Sequence, residues 1–289
     1  MSISAWILAA RPKTLPAAIV PVWVGSSPAL LNPDPAVGSW LLFWCTLVSC
    51  VCIQIATNLF NDAIDHEKGA DTEKRLGPTR VTSSGLISPR LVMGGALAFC
   101  LLAVLVSIPM VQARGWPVIV VGLVSLYFAY GYTGGPFPLA YRGMGELFVI
   151  LFFGLVAVAG SWYVQTGEIG GAAIWVTALQ CGFYSCVLIA INNLRDRIED
   201  GGTGKRTLAV RFGERFAKFE IAFFCLAPVI LGMLTMPDGL SILAQWVPML
   251  VIGLVISGLV FRTPPGPVYN RFLALGAVQL ILFAVLQSL

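Results

Sequence analysis

Asn58-Leu-Phe-Asn61-Asp62-Ala-Ile-Asp65 and Asn192-Asn193-Leu-Arg-Asp196-Arg-Ile-Glu199-Asp200 interrupt an otherwise oily chain, each at the end of a long apolar run. Helical geometry brings residues three, four and seven apart onto one face. Asn58, Asp62 and Asp65 are therefore expected to share a face, and so are Asn193, Asp196 and Asp200. Carboxylates at a membrane edge cost free energy unless something there requires them. Helix-end capping explains them poorly, because Asp at a helix C-terminus opposes the macrodipole. Eight of the fourteen acidic residues fall in these two segments, five in 62–73 and three in 196–200, which points to a site.

The remaining sequence says where that site sits. Of 289 residues, 57% are hydrophobic and 11% charged, with a mean hydropathy of +0.85. Soluble domains carry roughly 25% charged residues, so an all-α integral membrane protein is expected. Runs long enough to cross a bilayer as helices of roughly 20 residues lie near 15–31, 39–61, 91–113, 116–133, 144–164, 172–192, 219–236, 240–261 and 272–288, nine in all. No basic flank, short apolar core and small-residue cleavage site open the chain, so no cleavable signal is expected. No composition break divides it, and one bundle over residues 1–289 is the economical expectation.

Loop charge orients the bundle. With the N-terminus in the cytoplasm, seventeen of the eighteen Lys and Arg residues fall inside and only Arg114 outside. This is a strong positive-inside bias. It accounts for the net charge of +4 without nucleic acid as a partner. The seven cysteines (45, 50, 52, 100, 181, 186 and 225) fall within spans, with no metal-binding spacing, and read as small core residues. His66 is the only histidine, which leaves histidine-centred catalysis little to stand on.

Two inside loops, 62–90 and 193–218, are long and charged. Both follow one plan of apolar span, Asn, two Asp, then glycines and cations. Magnesium takes hard oxygen ligands, typically one or two carboxylates together with substrate phosphate oxygens. Two clusters of this kind suit a magnesium-diphosphate group, with Arg75, Arg80, Lys205, Arg206 and Arg211 available for phosphoryl oxygens. The glycines around Lys205 lack the spacing of a P-loop and follow a membrane helix, so that match is rejected.

These residues resemble the UbiA superfamily of intramembrane aromatic prenyltransferases. The first cluster is similar to its N-D-x-x-D-x-x-x-D motif and Asp196-x-x-x-Asp200 to its D-x-x-x-D, although Asp71 lies six residues after Asp65 instead of four. Further stretches resemble one branch, the 1,4-dihydroxy-2-naphthoate polyprenyltransferases of menaquinone synthesis. They are Arg11-Pro-Lys13-Thr-Leu-Pro16, Lys68-Gly-Ala-Asp71, Arg75-Leu-Gly-Pro78, Tyr132-Thr-Gly-Gly-Pro136, Gly160-Ser-Trp-Tyr163, Asn192-Asn-Leu-Arg-Asp196 and Gly204-Lys-Arg-Thr-Leu208. The resemblance implies a nine-helix bundle with a lipid-open cavity capped by two cytoplasmic loops. It also implies alkylation of the naphthoate ring by a polyprenyl diphosphate, with loss of carbon dioxide and diphosphate, to give demethylmenaquinone.

Within that reading, Asp62, Asp65, Asp196 and Asp200 are the expected magnesium ligands, with Asn58 and Asn193 completing the coordination. Lys205, Arg80 and Arg142 are the expected phosphate contacts. Asn61, Lys68, Asp71, Arg75, Asn192 and Arg206 join them in substrate binding. Tyr132 is expected to present a π face to the allylic cation, while Tyr127 and Tyr130 fit an interfacial belt equally well. Arg11 or Lys13 could meet the carboxylate of the acceptor, and positive-inside anchoring explains both equally. Gly122, Gly154 and Gly160 read as helix-packing positions. Alternative acceptors are homogentisate, 4-hydroxybenzoate or a tetrapyrrole. A secondary transporter is disfavoured because its acids would lie at the midplane. A CDP-alcohol phosphotransferase is disfavoured because its acids form one continuous motif.

Overall fold

The computed structural model describes residues 2–70, 76–77, 79–235 and 239–289, which are helical with no strand among them. A short helix α1 (Ile3–Ala10) leads through a 3-10 turn, Pro12–Thr14, into α2 (Pro16–Leu30). Then come α3 (Trp40–Glu67), α4 (Pro89–Arg114), α5 (Trp116–Gly131), α6 (Gly145–Val149), a π-helical segment (Ile150–Val156) and α7 (Ala157–Thr166). The chain continues with α8 (Ala172–Arg195), the short α9 (Arg197–Gly202), α10 (Leu208–Thr235), α11 (Gly239–Arg262) and α12 (Tyr269–Leu286).

Among the described residues, seven helices are long and apolar enough to cross a membrane, counting Gly145–Thr166 as one. The bent pair Ile3–Thr14 and Pro16–Leu30, at 53°, makes up to eight, and Trp116–Gly131 is a shorter apolar helix. The expected spans all fall on helices, but 116–133 is too short to pass the same test. The span expected at 15–31 is the second half of a bent pair.

Local chemistry sets the ends. Pro16, Pro89 and Pro117 stand in the first turns of α2, α4 and α5, where a missing N–H leaves no bond unmade. Gly167, at φ 78°, ends α7 in the left-handed conformation. There Arg114 donates from Nε to the Val164 carbonyl at 2.8 Å and from a guanidinium nitrogen to that of Gln165. Arg114 thus caps a helix C-terminus, where positive charge is favoured.

The main core gathers around α8, whose Cys181, Tyr184, Val187, Ala190, Ile191 and Leu194 are buried, with α2, α10, α12 and the π-helical segment packed against the helix. A second core joins α1, α3 and the first turns of α4. Of the three glycines expected to mediate packing, only Gly154 does. A Cβ there would stand 2.6 Å from the Ala178 carbonyl oxygen, whereas Gly122 and Gly160 face open space. All seven cysteines are free thiols.

Candidate active site

Helix α3 runs through the first polar cluster instead of ending before it. Asn58, Asp62 and Asp65 lie on its inner face at 5%, 1% and 0% exposure, so the shared face holds. Their side chains reach different partners. Asn58 donates through Nδ2 to the Ala10 carbonyl at 2.9 Å and to Thr14 Oγ1 at 3.0 Å. That satisfies a carbonyl exposed at the end of α1, where Arg11 adopts a left-handed conformation at φ 52°. Asp62 accepts from the backbone N–H groups of Val81 (3.3 Å) and Thr82 (3.1 Å) and from the Thr82 hydroxyl.

Asp65 is the centre of the site. Its carboxylate accepts from Arg80 Nη2 at 3.1 Å, Lys205 Nζ at 2.9 Å and the Tyr141 hydroxyl at 2.8 Å. Arg80, itself buried, also donates to Asn61 Oδ1 at 2.7 Å. Lys205 comes from the second charged loop, so this ion pair brings the two polar clusters together across 140 residues of chain. The Tyr141 ring faces Lys205 Nζ at 5.3 Å and Lys68 Nζ at 4.4 Å, near enough for cation–π attraction. Lys68 also donates to the Thr133 carbonyl at 2.7 Å. Partial burial pulls its ammonium below the usual lysine range, with Asp65 opposing the shift and Lys205 adding to it.

Backbone contacts hold these loops together. Arg206 N donates to the Tyr141 carbonyl at 3.1 Å, while Arg211 donates to the carbonyls of Arg206 and Arg142 at 3.0 and 2.8 Å. Gly143, at φ 69°, is required there, because a Cβ would stand 2.7 Å from the Arg206 carbonyl oxygen. The Arg206 and Arg142 side chains are exposed, and Arg142 stacks on Phe137 at 4.1 Å.

The second cluster departs from its expected shared face. Helix α8 ends at Arg195 and α9 begins at Arg197, with Asp196 between them at φ −93° and ψ 4°. Both Asp196 oxygens accept from the buried guanidinium of Arg195, at 2.8 and 2.7 Å, and Arg195 is braced in turn by Asn270 at 2.7 Å. Asp196 lines a groove with Leu76, Glu199, Glu214 and Pro265 that none of the first-cluster acids lines. Asn193 turns elsewhere and donates to Glu146 Oε1 at 2.6 Å. Asn192 is half-buried, and its carbonyl accepts from Asp196 N.

Asp200 lies within electrostatic reach of Tyr132. So do Asp65 and Glu146, and a Cβ on Gly145 would stand 3.1 Å from the Tyr132 hydroxyl. Arg11 is half-buried at the α1–α2 break, and Lys13 beside it is exposed. Asp71 and Arg75 lie outside the described residues. Sequence reasoning missed Tyr141, Thr82 and Glu146. The first two are identified only by a contact made across the fold, whereas Glu146 stands as a lone acid at the head of an apolar run, a signal that was available.

The donors fit a divalent cation that arrives with phosphate. Buried carboxylates hold cations here already, Asp65 against both Arg80 and Lys205. Among the described residues no three acid, His or Cys side chains converge as a ready-made metal cage. Magnesium is commonly held without one, by one or two carboxylates and the phosphates of a substrate.

Comparison with known proteins identifies the family. The family model described as the UbiA prenyltransferase family matches residues 18–267. The chain is 35% identical over 273 residues to a 1,4-dihydroxy-2-naphthoate octaprenyltransferase of Mycobacterium tuberculosis, covering 92% of this chain and 87% of that one. It is 32% identical to the Bacillus subtilis protein of the same name, covering 89% and 78%. Among solved structures, a UbiA homolog from Archaeoglobus fulgidus bound to GPP and Mg2+ superposes with a TM-score of 0.68 at 16% identity, over 99% of this chain and 100% of the other, a likeness of fold. The chain belongs to the UbiA prenyltransferase family.

Proposed function

We propose that this protein transfers a polyprenyl group from a polyprenyl diphosphate to 1,4-dihydroxy-2-naphthoate, releasing diphosphate and carbon dioxide and forming demethylmenaquinol, the hydroquinone of demethylmenaquinone. The observation that carries the reading is the Asp65 centre, where Lys205, Arg80 and Tyr141 converge on one buried carboxylate. The kinship with naphthoate octaprenyltransferases supplies the acceptor. We place the site at the cytoplasmic edge of the inner membrane, in one nine-span bundle, because seventeen of eighteen cations would then face inside.

Asp65, Asp200 and Asp62 would hold magnesium, and Asp196 would join them on releasing Arg195. Bound there, the metal supplies Lewis-acid stabilisation of the leaving diphosphate. Lys205 and Arg80 move from neutralising Asp65 to neutralising phosphoryl oxygens, so substrate binding replaces one set of charge pairs with another. Tyr132 would present its face to the allylic cation. The rings of Phe128, Phe148 and Phe152 pack on one another with centroids 4.8 to 5.6 Å apart.

The test is a membrane assay with geranylgeranyl diphosphate and magnesium, offering the naphthoate against 4-hydroxybenzoate and homogentisate. Prenylation of the naphthoate alone, with carbon dioxide released, is expected; prenylation of another acceptor instead removes the assignment. EDTA is expected to abolish turnover and added magnesium to restore it, and turnover persisting in EDTA would remove the metal from the reading.

Tyr141 offers a finer test. Tyr141→Phe loses the hydroxyl on Asp65 and keeps the ring for Lys68 and Lys205. A hydrogen bond to a charged group contributes about 1.5–3 kcal/mol, so turnover is expected to fall tenfold or more, on the order of that energy. Tyr141→Ala is expected to fall further and to raise the KM for diphosphate. Equal kinetics in the two variants would show that the ring contributes nothing.

A further inference from the structure

Glu146 stands in the first turn of α6 at 3% exposure, and only half of its carboxylate is occupied. Oε1 accepts from Asn193 at 2.6 Å, while Oε2 is buried with no hydrogen-bond partner among the described residues. A buried acceptor without a donor has given up its hydration for nothing. The donor it lacks is one that a bound molecule can bring. Gly145, next to Glu146 in the chain, packs against the Tyr132 hydroxyl, and Tyr132 lies within electrostatic reach of Glu146, Asp65 and Asp200, so Glu146 stands near the diphosphate centre.

Resting on the acceptor assignment above, we infer that Glu146 is a catalytic base that takes the hydroxyl proton of the aromatic acceptor, with Asn193 as its positioning residue. The acceptor carries hydroxyl donors and a carboxylate. A hydroxyl supplies the donor that Oε2 lacks. Asn193 holds the carboxylate in place through its bond to Oε1.

The chemistry closes on itself. The allylic C–O bond breaks, and its electron pair leaves with diphosphate. A ring π pair forms the new C–C bond at the carbon bearing the carboxylate, and the adjacent hydroxyl gives its proton to Glu146, leaving a neutral ketone. The resulting β-keto carboxylate loses carbon dioxide, and the bonding pair flows onto the ketone oxygen. That oxygen recovers the proton from Glu146 and restores both the aromatic hydroquinone and the starting carboxylate. No oxidant or reductant is consumed.

Two measurements on the purified protein in lipid test this. Glu146→Gln is expected to lose about 10²–10³-fold in kcat, while affinity for a non-ionising prenyl thiolodiphosphate stays unchanged and shows that the fold and the diphosphate centre are intact. Glu146→Asp is expected to recover part of the loss. Near-normal kcat in Glu146→Gln, or loss of thiolodiphosphate affinity equal to the loss of kcat, overturns the role. The second measurement uses the unaltered enzyme, comparing the naphthoate with an analogue that has hydrogen in place of the hydroxyl beside the carboxylate. Binding at least tenfold weaker for the analogue is expected, on the order of a hydrogen bond to a charged group, and equal affinity overturns the proposal. A wild-type enzyme that prenylates no naphthoate overturns the acceptor assignment and this role together. A wild-type enzyme that prenylates it beside a fully active Glu146→Gln overturns the role alone.

Discussion

Asp65→Asn is expected to lower turnover by about three orders of magnitude, since removing one preorganised electrostatic contact at a reacting charge costs about 10²–10³ on its own. The carboxylate is fully buried, and it holds Arg80 and Lys205, themselves 4% and 12% exposed, through ion pairs of 3.1 and 2.9 Å. On the proposed reading, neutralising it removes a magnesium ligand, and it takes from two nearly buried cations the carboxylate they share. Breaking a buried pair from one side costs about 3–5 kcal/mol, so the melting temperature is expected to fall as well. Lys205→Met separates the two effects. It removes the only described ion pair joining the two polar clusters but spares the carboxylate, so diphosphate affinity should drop while magnesium dependence persists. Asp65→Asn with near-normal turnover in a folded protein would sink the metal-site reading.

Asp62→Ala carries a different expectation from the one its sequence position suggests. As a plain metal ligand it would leave a folded, inactive protein. In the structure its carboxylate fixes the backbone of Val81 and Thr82, both buried, and removing it leaves those N–H groups without their acceptor. Loss of stability should therefore accompany loss of activity.

The sequence carried the spans and the acidic centre because both are local signals. Apolar runs of the right length and carboxylates at helical spacing need no tertiary information. What it lacked is instructive. The span expected to end at residue 61 continues through Glu67, because the polar residues that read as a terminus are satisfied by partners from other segments. Asn58 and Asn193 were read as ligands from their spacing alone, yet each amide nitrogen serves a contact set by packing, on Ala10 and on Glu146. Asp196 fell on the expected face only if the helix ran on past Arg195. Arg195 was read as one more loop cation, and nothing local shows that it is buried and paired with its own neighbour. Tyr141 was invisible for the same reason. Its value lies in a carboxylate 76 residues away and in two lysines from different loops.

The largest structural effect is expected at Gly154, where two helices meet backbone to backbone. The π-helical turn Ile150–Val156 carries this glycine against α8. A Cβ on it would stand 2.6 Å from the Ala178 carbonyl oxygen and 2.8 Å from the Gly182 Cα. Gly182 returns the contact, its own Cβ position lying 3.1 Å from the Ile150 backbone. Neither helix can yield by rotating a side chain, so Gly154→Val must push α8 away. Helix association in a bilayer rests on such close approach of small residues, and overpacking costs about 1–3 kcal/mol, more where backbone must move. Because α8 carries Asn193, Arg195 and Asp196 at its far end, the displacement reaches the site. The melting temperature in detergent is expected to fall by roughly 5 °C or more, with turnover falling alongside. Gly160→Val, where a Cβ meets nothing within 4 Å, is the matched control and should move neither. Equal melting temperatures for the two variants would mean that the close helix contact does not hold α8 in place. The position of the second polar cluster would then rest on the loops alone.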